Sequence, residues 1–169
     1  MMMARETKKT QAKGQLSLTE FIFVSVVLFG LLAASIAFWN TANDRLKESL
    51  DRRNIEVAAL GVSDQLVKSE GVPDNWYTDF NGATSVGLIG QERKLDQTKI
   101  NAFVSADYKE MKRRLGIGGY EMRVRISSLD GVVKFEEGSA PADPRIAVNI
   151  KRVALLNNEM VHVDVTLWA

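Results

Sequence analysis

Nineteen consecutive residues without a charge, Phe21 to Trp39 (FIFVSVVLFGLLAASIAFW), constrain this chain more than any other stretch. A helix rises about 1.5 Å per residue, so roughly 20 apolar residues cross a bilayer core of about 30 Å. Only Ser25, Gly30 and Ser35 interrupt the run, and all three are small enough for a membrane helix. The sequence therefore predicts a membrane-spanning helix near its start.

The flanks give that helix a direction. Residues 1–14 carry Arg5, Lys8, Lys9 and Lys13 against Glu6 alone, and no base follows the span until Arg45. The positive-inside rule then puts the N-terminus in the cytoplasm and the C-terminus outside. The whole chain holds 22 Lys+Arg and 21 Asp+Glu, a net charge of +1, so the basic excess belongs to the leader. A nucleic-acid-coating protein would be markedly basic, and no nucleic-acid partner is expected. No cysteine is present, which excludes a disulfide framework, a Cys-ligated metal and a thiol nucleophile. Three fates are open to such a span. It can persist as a single-pass anchor, it can be a secretory signal cut after Ala37, or it can be trimmed on its cytoplasmic side and retained.

The junction reads Lys13-Gly14-Gln15-Leu16-Ser17-Leu18-Thr19-Glu20-Phe21. It resembles the class III signal peptide of archaeal type IV pilin-like proteins, in the K-G-Q-x-S-x-E-F variety, over residues 13–39. The resemblance implies that a prepilin peptidase cuts between Gly14 and Gln15, within the processing site Lys13, Gly14 and Gln15. The apolar helix then stays as the start of the mature chain. Membrane lipid is its partner before assembly, and like subunits or other pilins are its partners in a surface filament. One departure is plain: Thr19 makes Glu20 the sixth mature residue, where the family pattern usually has its Glu fifth.

Physical chemistry supports the same residues without the family. A carboxylate at the edge of a membrane helix costs on the order of a few kcal/mol unless paired. Cutting after Gly14 creates an ammonium at Gln15 within about one and a half turns of Glu20, a partner on the same or a neighbouring subunit. Gly30, Ala33, Ala34 and Ala37 form a small-residue face along which helix backbones can approach. Glu20 and these four are the candidate assembly contacts.

Beyond the span, the pattern predicts an α+β chain with a leader (1–14), a filament-core helix (15–39), a stalk continuing that helix (40–70) and a globular head (71–169). The helix is expected from about Leu16 to Ser69, roughly 80 Å, capped by Gly71 and stopped by Pro73. Leu46, Leu50, Val57 and Leu60 recur near a 3.6 period and give the stalk its apolar face. Asp96 is expected to cap a helix through about Phe103, and Ser105 a second over Ala106 to Leu115. The glycines of Leu115–Tyr120 follow a helix and precede a strand, so they read as a helix cap rather than a phosphate loop. Four strands follow. Met122, Val124 and Ile126 point inward, Asp130-Gly131 makes a hairpin turn, and residues 136–144 form a loop. A bulge is expected near Lys151-Arg152, Asn157-Asn158 turns the chain, and Val161, Val163, Val165 and Leu167 line the last strand. The upper half of the long helix is the available cover for this four-stranded antiparallel sheet.

Catalytic chemistry is sparse. His162 is the single histidine, and Glu136-Glu137 are adjacent, so in a strand they point apart. No G-x-S-x-G elbow accompanies them, and no carboxylate set has metal-ligand spacing. The expectation is a non-enzymatic structural subunit without a cofactor or metal. The alternative is a membrane-anchored extracytoplasmic binding or sensor domain that does not polymerise, with Trp76, Tyr77 and the loop 136–144 as its contacts.

Overall fold

The computed structural model describes residues 12–90 and 94–169, with side chains described from Leu18 onward. Most of the leader thus lies outside the described residues. The fold is α+β: α1 (Ala12–Lys68), β1 (Gly71–Val72), β2 (Ser85–Val86), α2 (Gln97–Ser105), α3 (Tyr108–Arg114), β3 (Glu121–Ser128), β4 (Val133–Glu137), β5 (Ala147–Leu156) and β6 (Glu159–Trp168). The chain divides into two compact units, one ending at Ser49 and the other Leu50–Ala169.

No proline interrupts α1, and it runs unbroken for 57 residues. It starts ahead of the expected Leu16 and ends one residue before Ser69. Gly71 then takes φ +86, the left-handed conformation that releases a chain from a helix, and its N–H bonds Ser69 Oγ at 3.0 Å.

The second unit begins at Leu50 because α1 supplies part of its core. Ile55, Ala59, Val62 and Leu66 are buried. This is not the face the periodicity suggests, since Leu46, Leu50, Val57 and Leu60 are exposed. Both sets step by three and four residues, so spacing alone does not choose between them. The buried set contains Ala59, whose small side chain suits close packing against a sheet.

That sheet is antiparallel in the order β4-β3-β6-β5. Met122, Val124 and Ile126 of β3 and Val161, Val163, Val165 and Leu167 of β6 are buried on its inner face, as the alternation predicts. Asn157 and Asn158 have φ of 52 and 66, the two left-handed residues of a type I′ hairpin turn. The bulge expected near Lys151-Arg152 does not occur. β5 pairs β6 in one register from Ala147 opposite Trp168 to Leu156 opposite Glu159. Val148, Ile150, Arg152, Ala154 and Leu156 therefore share the inner phase, while Val153 and Leu155 face outward.

An inward arginine replaces the bulge because α1 satisfies it. The Arg152 guanidinium lies 2.8 Å from Asp64 Oδ1, and its Nε donates to Ser63 Oγ at 3.3 Å. Lys68 and then Arg152 hold the Asp64 carboxyl below its ordinary value. The register shift sits instead between Ile126 and Ser127, where β3 meets β4.

Asp96 caps α2 as expected, accepting from the Thr98 N–H at 2.7 Å. The cap of α3 is Asp107, which accepts from the Glu110 N–H at 2.9 Å, and not Ser105. Ser105 is still within the last turn of α2, and its hydroxyl donates back to the Asn101 carbonyl. At the far end of α3, Gly116 (φ +74) donates to Arg113 O at 3.1 Å and Ile117 to Lys112 O at 2.9 Å. These two bonds make a Schellman cap, so the glycines serve a turn.

Trp76 and Lys99 tie down the stretch between α1 and α2. Trp76 is fully buried, and its Nε1–H donates to Gly87 O at 2.9 Å. Lys99 is buried, with its ammonium donating to the carbonyls of Glu70 and Ile89, each at 2.8 Å.

Tyr108 links α3 to β3. Its hydroxyl accepts from the Met122 N–H at 2.8 Å and lies 2.8 Å from Glu121 Oε2, to which it donates. Lys112 Nζ bonds Glu121 at 2.8 Å and stands 5.2 Å from the Tyr108 ring centroid. Burial, and then the Glu121 hydrogen bond, push the phenol up from 10.0 to about 12. A group whose folded value is raised contributes stability below its unfolded value and loses it as pH climbs through the folded one. The second unit should therefore weaken between about pH 10 and about pH 12. Tyr108→Phe should remove that component while lowering stability at neutral pH by about 1 kcal/mol. Urea midpoints of the two chains compared across this range check it; parallel curves would refute the assignment.

Candidate assembly surface

The first unit offers the apolar span. Phe21, Phe23, Phe29, Leu31, Ile36, Phe38 and Trp39 all stand exposed, Phe29 at 68% and Trp39 at 66%. Water would not tolerate so continuous an apolar surface, and α1 is long and apolar enough to cross a membrane. Three of its hydroxyls are satisfied within the helix. Ser25 donates to Phe21 O at 2.7 Å, Ser35 to Leu31 O at 2.8 Å and Thr41 to Ala37 O at 3.0 Å. Such i−4 bonds remove the desolvation cost that a free hydroxyl would carry into lipid.

Gly30, Ala33, Ala34 and Ala37 fall within about 100° of arc on α1, by helical geometry. A Cβ built on Gly30 would meet nothing within 4 Å, so this face is open to a neighbouring backbone. Glu20 is exposed on the same helix and has no ion-pair partner among the described residues. The backbone of Lys13, Gly14 and Gln15 is helical within α1, and their side chains are outside the described residues.

The contacts expected of a sensor domain fare differently. Trp76 is buried and bonded to Gly87, so it cannot meet a partner, whereas Tyr77 beside it is exposed. The loop expected from Glu136 starts at Gly138, because β4 runs to Glu137. Glu136 pairs with Arg123 at 2.7 Å on the outer face. Glu137 stands opposite Val124 on the inner face, where burial pushes its carboxyl up. The two carboxylates point apart, and no shared site forms. His162 is on the outer face, opposite Ser127 and Val153. Among the described residues no three metal-ligating side chains cluster.

One surface is not legible in the sequence as such. Periodicity assigns Leu50, Val57 and Leu60 to the head, yet they stand exposed. The signal that separates the two faces is the presence of two 4-3 stripes in one stretch of helix. Compared with known proteins, the chain matches no family model, no curated protein and no solved structure.

Proposed function

We propose that this protein is a type IV pilin-like structural subunit, cut after Gly14 by a prepilin peptidase and assembled through its N-terminal helix into a surface filament. One observation carries the reading. The exposed apolar span begins at Phe21, shortly after the Lys13-Gly14-Gln15 junction, and continues without a break into the helix that forms part of the head's core. A span cut away after Ala37 would have no need of that continuity, nor of an open small-residue face. In this reading lipid covers the span first, and the spans of like subunits or other pilins cover it after assembly. The role is structural rather than catalytic, with the N-terminus facing the cytoplasm before assembly and the heads outside.

The test is N-terminal sequencing of the protein in filaments sheared from cells. A chain starting at Gln15 is expected. A full-length chain confined to membranes would favour the anchored sensor, and a soluble chain starting at Phe38 would favour secretion; either overturns the proposal.

A further inference from the structure

The face of α1 turned away from the sheet carries its own apolar stripe. Leu50, Val57 and Leu60 are exposed, Val57 at 62%. With about 3.6 residues per turn, their mean direction is roughly 180° around the axis from that of Ile55, Ala59, Val62 and Leu66. Including Arg53, the positions step 50, 53, 57, 60, and the same spacing continues back in sequence to Leu46. The sheet already covers the opposite face of this helix, so the outward stripe is left for a partner outside the head, and 4-3 stepping is what one parallel helix can fill.

The charges beside the seam suit a like helix. Arg53 lies within the stripe and Glu56 on its flank, and neither has an ion-pair partner among the described residues. Asp51 and Asp64, on the head side of the same helix, both have one. Two such helices side by side offer Arg53 of one to Glu56 of the other, and lipid tails offer neither charge a partner.

We infer that Leu50, Arg53, Val57 and Leu60 form a packing seam for the same helix of a second copy of this chain, outside the membrane. The inference rests on the proposed assembly, which brings copies together in parallel, and it extends the contact from the span into the head. Its surface differs from the small-residue face of the span.

The chain has no native cysteine, so single cysteines report cleanly. Full-length Val57→Cys and Leu60→Cys proteins, oxidised in native membranes and in sheared filaments, should become disulfide-linked dimers of this chain. Asp130→Cys, at the exposed β3–β4 turn, should stay monomeric. Monomeric Val57→Cys and Leu60→Cys in abundant, correctly matured filaments would overturn the seam and leave the filament reading standing. Cross-linked dimers in membranes, with no filament ever formed, would keep the seam and sink the filament reading. A mixed disulfide with a different protein, or labelling of the Val57→Cys thiol by a lipid-embedded maleimide without dimers, would also overturn the seam. Val57→Glu, which leaves the span and Gly14 untouched, should be matured normally and incorporated into filaments about tenfold less.

Discussion

A chain carrying Gly14→Leu is expected to accumulate at full length in the membrane and to be missing from surface filaments. If the chain is cut as proposed, Gly14 offers a peptidase backbone without a side chain, and a branched side chain there would obstruct that approach. Two consequences follow from an uncut chain. No ammonium forms at Gln15, so Glu20 keeps an exposed carboxylate with no ion-pair partner among the described residues. The leader's Arg5, Lys8, Lys9 and Lys13 also stay attached. Side-by-side packing of spans would bring these clusters together, at about 1 kcal/mol for each like pair 4 Å apart in water and more near lipid. Gly14→Ala should be cut slowly rather than not at all. Immunoblot mobility, N-terminal sequencing and the sheared fraction read the three effects separately. Normal maturation of Gly14→Leu would count decisively against the cleavage assignment even if filaments still formed.

The sheet is legible because its strands alternate, and the long helix because an uncharged run leads on with no proline to stop it. Met122, Val124 and Ile126 alternate, as do Val161 to Leu167, and no proline breaks α1. Where the pattern misleads, a long-range partner decides the outcome. Val153 and Leu155 are out of phase with Ile146, Val148 and Ile150, which reads as a bulge near Lys151-Arg152, whereas β5 runs on in one register with Arg152 facing inward. Asp64, far earlier in the chain, is what permits it. The inner face of α1 escapes periodicity for the same kind of reason. Leu50, Val57 and Leu60 are larger than Ala59, and size favours them locally, whereas fit to the sheet favours Ile55, Ala59, Val62 and Leu66. At the α2–α3 junction, Ser105 and Asp107 are both good caps by type, and only the end of α2 decides between them. Of the proposed assembly surface, the span and its small-residue face are readable from composition, since lipid exposure needs no tertiary partner. The outward stripe is not, because its exposure depends on which face the head occupies.

The largest loss of head stability should come from Trp76→Ala, about 3–5 kcal/mol for a fully buried aromatic. A domain of ordinary stability has only about 5–15 kcal/mol in all. The indole is held on several sides. It meets Phe80 edge-on with ring centroids 6.0 Å apart, and its Nε1–H bonds Gly87 O. Gly71 and Gly87 leave space that no other residue could. A Cβ on Gly71 would stand 2.4 Å from Trp76 Cδ1, and one on Gly87 2.1 Å from Ser69 O. Trp76→Phe keeps most of the apolar contact but leaves the Gly87 carbonyl unpaired, which costs about 1–3 kcal/mol. Urea unfolding of the mature chains in detergent, followed by far-UV circular dichroism, separates the two variants. Equal costs would mean that the hydrogen bond, and not the ring, holds this loop. Both variants should still be cut at Gly14, because neither touches the span. Trp76→Ala should nevertheless be depleted from filaments, since the stalk helix relies on a folded sheet to cover Ile55, Val62 and Leu66. Maturation without assembly would then separate what the leader does from what the head does.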